Sequence, residues 1–103
     1  MGVSCDYNVA KGCWALGMMY EKGEWVFKDA KRAAQLYHRA CSGGEPAACN
    51  SLGCLYANGQ GVPRSGTKAM ALFRSACDAE VAAACDSVGE AYEKGWGTVP
   101  AQD

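Results

Sequence analysis

Apolar and small residues recur at helical spacing from early in the chain. Cys13, Leu16, Gly17 and Tyr20 stand at i, i+3, i+4 and i+7, one stripe of an amphipathic helix. Gly23 follows, where a left-handed residue ends a helix at least cost. A second stripe of Ala33, Leu36, Tyr37 and Ala40 comes after Asp29, a good N-cap. The sequence then starts over. Leu52, Gly53 and Tyr56 precede Gly59, and Ser65 offers a cap ahead of Ala69, Leu72, Phe73 and Ala76. Pro46 falls near a helix start and Pro63 just before one, both positions where proline is tolerated. The pattern predicts helices near residues 8–22, 29–41, 46–58, 66–77 and 80–94, without any strand signal.

These stripes repeat with a period of 36 residues. Cys5, Cys41 and Cys77 share one register position, and Cys13, Cys49 and Cys85 another. Gly17/Gly53/Gly89, Tyr20/Tyr56/Tyr92 and Gly23/Gly59/Gly95 follow the same ruler. The units run over 5–40, 41–76 and a partial 77–103. A single pair of such helices cannot bury its apolar stripe. The expected architecture is therefore one all-α domain, an α/α solenoid of antiparallel helix pairs with about five helices. A glycine inside a helix costs roughly 1 kcal/mol against alanine. Its return at positions 17, 53 and 89 implies that another helix crosses closely there. The sequence opens where a second-type helix should have just ended and stops where another should begin. Either the array is longer, or an unpaired last helix caps it.

The residues Leu16-Gly17, Tyr20, Gly23, Val26, Asp29 and Arg32-Ala33, matched by Leu52-Gly53, Tyr56, Gly59, Gly61-Val62 and Lys68-Ala69, resemble the Sel-one-like repeat family, relatives of the tetratricopeptide repeats. The added Cys-x7-Cys resembles the cysteine-rich branch of that family, the type of the secreted Helicobacter cysteine-rich proteins. The resemblance covers residues 5 to about 98, with two departures: Trp25 replaces the second glycine of the first unit, and Ser65 replaces the usual aspartate of the second. It implies disulfides Cys5–Cys13, Cys41–Cys49 and Cys77–Cys85. A tight turn at Gly43-Gly44 would bring Cys41 to Cys49. Each bridge closes a short loop, worth roughly 2–3 kcal/mol in the chain-entropy picture. Such bridges belong in an oxidising compartment: bacterial periplasm or the secreted space, with the mitochondrial intermembrane space as alternative. Reduced cysteines packed in a core are the competing reading. Cys54 is off the ruler. Its equivalents are Met18 and Glu90, so it is expected as a partly exposed free thiol, able to join two chains.

Charge and composition narrow the chemistry. A formal charge of −1 over 103 residues gives no pull toward nucleic acid, and no apolar run is long enough for membrane insertion. The nearest cysteine pair, Cys49 and Cys54, and the solitary His38 do not make a metal site, so no metal or cofactor is expected. Ser65-x-x-Lys68 matches a motif of β-lactam-binding enzymes, but its companion motifs are missing and both residues occupy repeat positions held elsewhere by Asp29 and Arg32. The reading is non-enzymatic, with weak β-lactamase-like activity or a purely structural segment of a longer array as alternatives.

In solenoids of the resembled family, the first-type helices line a concave recognition face. Carried onto this chain, that face consists of Trp14, Met18, Glu21 and Lys22; Asn50, Cys54, Ala57 and Asn58; and Asp86, Glu90, Glu93 and Lys94. These positions vary between copies while the packing positions repeat. The face grades from aromatic to acidic, which suits an extended peptide with a hydrophobic anchor and a basic end. Trp25 and Trp96, beside the inter-helix turns, are expected to serve packing or edge roles. The expected function is a disulfide-stapled scaffold that binds a protein or peptide partner. Alkylation and mass spectrometry without reductant should label one cysteine, Cys54; seven labels would remove both the staples and the oxidising compartment.

Overall fold

The computed structural model describes residues 10–93. Five helices follow one another: α1 Ala10–Lys22, α2 Ala30–Ser42, α3 Pro46–Asn58, α4 Gly66–Asp78 and α5 Ala82–Glu93. Each packs against its sequence neighbours, so α1/α2 and α3/α4 form hairpins that stack, with α5 laid on α4. The fold is the all-α solenoid that the periodicity calls for, and among the described residues there is no strand. Cys5, Lys94, Gly95 and Trp96 lie outside the described residues.

The helix ends are set by the residues anticipated for them. Asp29 and Ser65 both have extended backbone, and their side chains accept the N–H groups of Arg32 at 3.1 Å and Lys68 at 3.2 Å. Gly23 and Gly59 take left-handed conformations, φ 76° and 67°. The expected boundaries of α2 and α4 agree to within one residue, and the start of the last helix differs by more. The pattern places the last helix from residue 80, yet α5 starts at Ala82, because Glu80 adopts φ 69° in the α4–α5 turn. Its N–H bonds the Cys77 carbonyl, and the next N–H, of Val81, bonds that of Ala76. Gly44, one repeat earlier, is also left-handed at φ 96°, so the turn geometry outlives the residue that suits it.

The helical glycines explain how closely the pairs pack. A Cβ added at Gly17 would lie 2.7 Å from the Tyr37 ring, and one at Gly53 would lie 2.7 Å from the Phe73 ring. Glycine lets α2 and α4 press a full aromatic ring onto the backbone of the preceding helix. Tyr37 is completely buried and Phe73 nearly so. Around them lie Cys13, Ala33, Ala40, Ala48, Leu52 and Leu55 in one cluster, and Ala69, Met70 and Ala91 in the next. The core is thus a row of rings with small residues on either side.

Disulfides close the turns between hairpins. Cys41–Cys49 and Cys77–Cys85 are formed, with Cα atoms 4.7 Å and 4.6 Å apart. Cys13 is also disulfide-bonded, and Cys5, the partner expected for it, lies outside the described residues. In the second unit, Gly61 sits on the N-terminus of α2: a Cβ there would be 2.4 Å from the Ala30 carbonyl. Trp25, the same register position one unit earlier, also has a left-handed backbone, φ 69°, but its side chain is 92% exposed. Of the two roles expected for Trp25, packing or edge, its exposure leaves only the edge role. No described helix covers that side of the first unit, so a large residue fits where an internal unit needs glycine.

Two substitutions at this one register position should act oppositely. Gly61→Ala combines a left-handed backbone with a clash against backbone atoms and is expected to cost at least about 2 kcal/mol. Trp25→Gly relieves roughly 1–2 kcal/mol of left-handed strain against about 0.5–1 kcal/mol of added chain entropy, so a small gain is expected. Urea unfolding followed by circular dichroism measures both. A second check concerns the bridges. Cys85 is exposed whereas Cys49 is buried, so limiting reductant should open Cys77–Cys85 before Cys41–Cys49, as differential alkylation would show.

Candidate functional site

The first-type helices α1, α3 and α5 carry the residues assigned to recognition. Trp14, Met18, Glu21, Asn50 and Cys54 are half-buried, while Lys22, Asn58, Asp86, Glu90 and Glu93 are exposed. Two of them turn inward. Trp14 donates its indole N–H to Ser51 Oγ at 3.3 Å, tying α1 to α3. The Tyr37 hydroxyl donates to Glu21 Oε1, and Ser51 bonds the phenol oxygen in turn. Trp14, Ser51, Tyr37 and Glu21 thereby form one chain of hydrogen bonds across α1, α2 and α3. Burial of the ring, reinforced by Glu21, pushes the phenol well above its usual range, so Tyr37 stays protonated and keeps donating.

One repeat later, the same location is built without this lock. Phe73 stands where Tyr37 does and has no hydroxyl; Ala57 replaces Glu21; Asn50 replaces Trp14. A cleft of about 310 Å³ remains there, between α3, α4 and α5. Cys54, Asn58, Arg64, Phe73, Ser87 and Glu90 line it. Ala57 lines it too, so the structure joins four residues that the sequence assigns to recognition, Cys54, Ala57, Asn58 and Glu90, with three that it does not. Asp86 and Glu93 lie outside the lining of this cleft. The Oδ1 atom of Asn50, four residues before Cys54, is buried with no hydrogen-bond partner. Ser51 and Tyr37 were missed as site residues because Tyr37 sits at a packing position. The Tyr37/Phe73 difference within one register was the signal that a hydroxyl there had a partner.

Cys54 is the free cysteine among the described residues, and it is half-buried. Burial, Glu21 and Glu90 all raise its pKa, in that order of size, so its thiol is held in the protonated form near neutral pH. His38 is exposed on α2, and among the described residues no cluster of side chains is arranged to hold a metal ion. Ser65 caps α4, and the Lys68 ammonium lies 5.5 Å from the centre of the Tyr56 ring, so both residues of the Ser-x-x-Lys pair have structural duties. No described helix is long and apolar enough to cross a membrane.

Comparison with known proteins agrees with this architecture. The model of the Sel1 repeat matches residues 10–45, 46–81 and 82–103, and the chain belongs to the Sel1 repeat family. No curated protein sequence matches it. Among solved structures, a protective antigen of uropathogenic Escherichia coli with an SLR fold superposes with a TM-score of 0.86 at 30% identity, over 90% of this chain and 20% of that one. A Sel1 repeat protein from Oxalobacter formigenes gives 0.81 at 27% identity, over 88% of this chain and 37% of its own. Cysteine-rich protein B of Helicobacter pylori gives 0.73 at 37% identity, over 77% of this chain and 59% of its own. The chain therefore spans between a fifth and three-fifths of these proteins. Sel1 repeats are scaffolds commonly used for protein interaction, and the bridges here fit an oxidising compartment.

The raised thiol pKa gives a measurable consequence. At pH 8 Cys54 should react with iodoacetamide more slowly than an unhindered thiol, because less of it is thiolate. Glu90→Gln removes one of the carboxylates that raise the pKa, so the reaction should speed up by about two- to threefold. A pH profile of the alkylation rate should shift to lower pH in the variant.

Proposed function

We propose that this chain is a non-enzymatic interaction scaffold that binds an extended segment of a protein partner on the face formed by α1, α3 and α5. The observation that carries this reading is the contrast between neighbouring repeats. The hydrogen-bond chain from Trp14 to Glu21 fills the first location, whereas the equivalent location one repeat on is left as an open cleft. A stable fold has no need of that opening: a tyrosine at 73, a glutamate at 57 and a tryptophan at 50 would restore the lock of the first unit. The cleft offers an aromatic floor at Phe73, amide and hydroxyl groups at Asn58 and Ser87, and a carboxylate at Glu90. The acidic residues Asp86, Glu90 and Glu93 continue this surface toward the end of α5 and favour a basic stretch in the partner. Cys54 contributes a contact surface. Its burial and its two carboxylate neighbours disfavour the thiolate needed for a disulfide-linked dimer.

The disulfides and the relationship to the Helicobacter protein support work in the periplasm or outside the cell. Capture of partners from extracellular or periplasmic extracts tests the face. Wild type should retain its partner, and Asn58→Lys with Glu90→Lys should reduce the captured amount by at least about tenfold. Arg39→Glu, on an exposed part of α2, should leave capture unchanged. Equal capture by wild type and the double variant would overturn the assignment of the cleft.

A further inference from the structure

The overall charge of −1 hides an uneven distribution among the helices. The second-type helices are basic: α2 carries Lys31, Arg32 and Arg39 with no carboxylate, and α4 carries Lys68 and Arg74 with one carboxylate, Asp78, at its last position. Among the first-type helices α5 is acidic, with Asp86, Glu90 and Glu93 and no base, whereas α1 carries Glu21 against Lys11 and Lys22 and α3 carries no charge. Between α2 and α4 runs a groove built from two adjoining depressions of about 250 and 370 Å³, which share His38, Leu52 and Tyr56 as walls. Its apolar lining comes from Leu52, Tyr56, Val62 and Leu72, and its rim from Lys31, His38 and Lys68. Among the described residues no carboxylate lines it. Lys68 is held in place there, its ammonium 5.5 Å from the centre of the Tyr56 ring.

We propose that the α2–α4 groove is a second binding surface, which takes an acidic peptide segment carrying an apolar side chain. The apolar side chain seats on Leu52, Tyr56 and Leu72, and flanking carboxylates meet Lys31, Lys68 and the His38 imidazole. Three features select this occupant. The rim is cationic without compensation, which favours an anionic partner. The floor is a narrow apolar trough, which a polyanion bound through phosphates alone would leave unused. Among the described residues, the large apolar side chains that stand exposed, Trp25, Phe27 and Tyr92, are not groove residues, so they give this surface no anchors for an anionic bilayer. The groove is formed mainly by helices other than those of the α1–α3–α5 face, so either surface can fail its test while the other passes.

Fluorescence anisotropy with fluorescein-labelled Glu-Glu-Leu-Phe-Glu-Glu tests this proposal on the whole chain. Saturable binding is expected, weakening by at least about tenfold in the Lys31→Glu/Lys68→Glu variant and on raising salt to about 0.5 M. Both lysines are exposed near helix N-termini, where glutamate is well tolerated, and circular dichroism verifies folding. Replacing Leu-Phe in the peptide by Gly-Ser should cost at least about fivefold. Amide shift mapping should place the perturbation on α2 and α4 and leave Glu90 and Glu93 unmoved. No saturable binding, equal binding by Lys-Lys-Leu-Phe-Lys-Lys, or an unaffected double variant would each overturn the proposal. Retention on phosphatidylglycerol vesicles that the peptide cannot compete away would also overturn it, in favour of a lipid surface.

Discussion

The contact between a helical glycine and an aromatic ring sets the geometry on which the other features of this solenoid depend. Gly17 and Gly53 each lack the one atom that would strike the ring of Tyr37 or Phe73, and that omission lets paired helices approach to ring-contact distance. The ring then becomes the centre of a small cluster, and alanines at 33, 40, 69 and 76 complete it without competing for volume. Interiors packed at crystal-like density tolerate little deviation from such an arrangement. The register of each hairpin follows from this contact, and the register in turn decides which face of α1, α3 and α5 is left outside the core.

Stacking of hairpins rests on a second close approach, between Gly61 and the first residues of α2. The disulfides add to it by holding the inter-hairpin turns, where Cys41–Cys49 and Cys77–Cys85 bridge the end of one helix to the start of the next. Among the described residues, the two non-glycine residues with left-handed backbones, Trp25 and Glu80, show how the repeat geometry dominates over local preference. Both occupy slots that glycine fills in the neighbouring unit, and both are exposed, so only backbone strain opposes them.

Function is read best from the differences between repeats that share this frame. The polar lock through Ser51 and Tyr37 occupies one location and is absent from the next, although the backbone is the same. Likewise, basic residues gather on α2 and α4 and acidic ones on α5, so a chain close to neutral is unevenly charged from helix to helix.

The chain alone determined much of this. Its 36-residue period, its stripes at helical spacing and its capping residues specify five helices, their order and nearly all their boundaries, because these are local properties of backbone and side chain. The helical glycines at 17 and 53 announced close crossings, whereas among the described residues nothing approaches within 4 Å of a Cβ at Gly89, so the expectation fails there; the pairing of the cysteines followed from turns within the period. Tertiary structure decided the rest. Whether Glu21 faces a partner or the Tyr37 hydroxyl depends on where α2 crosses α1. Whether Trp25 packs or protrudes depends on a neighbouring helix that no local pattern encodes. The groove between α2 and α4 exists only because residues from three helices converge. Periodicity records which side of each helix is buried; distances between helices, set by the fit of rings against glycines, decide what the remaining side chains meet.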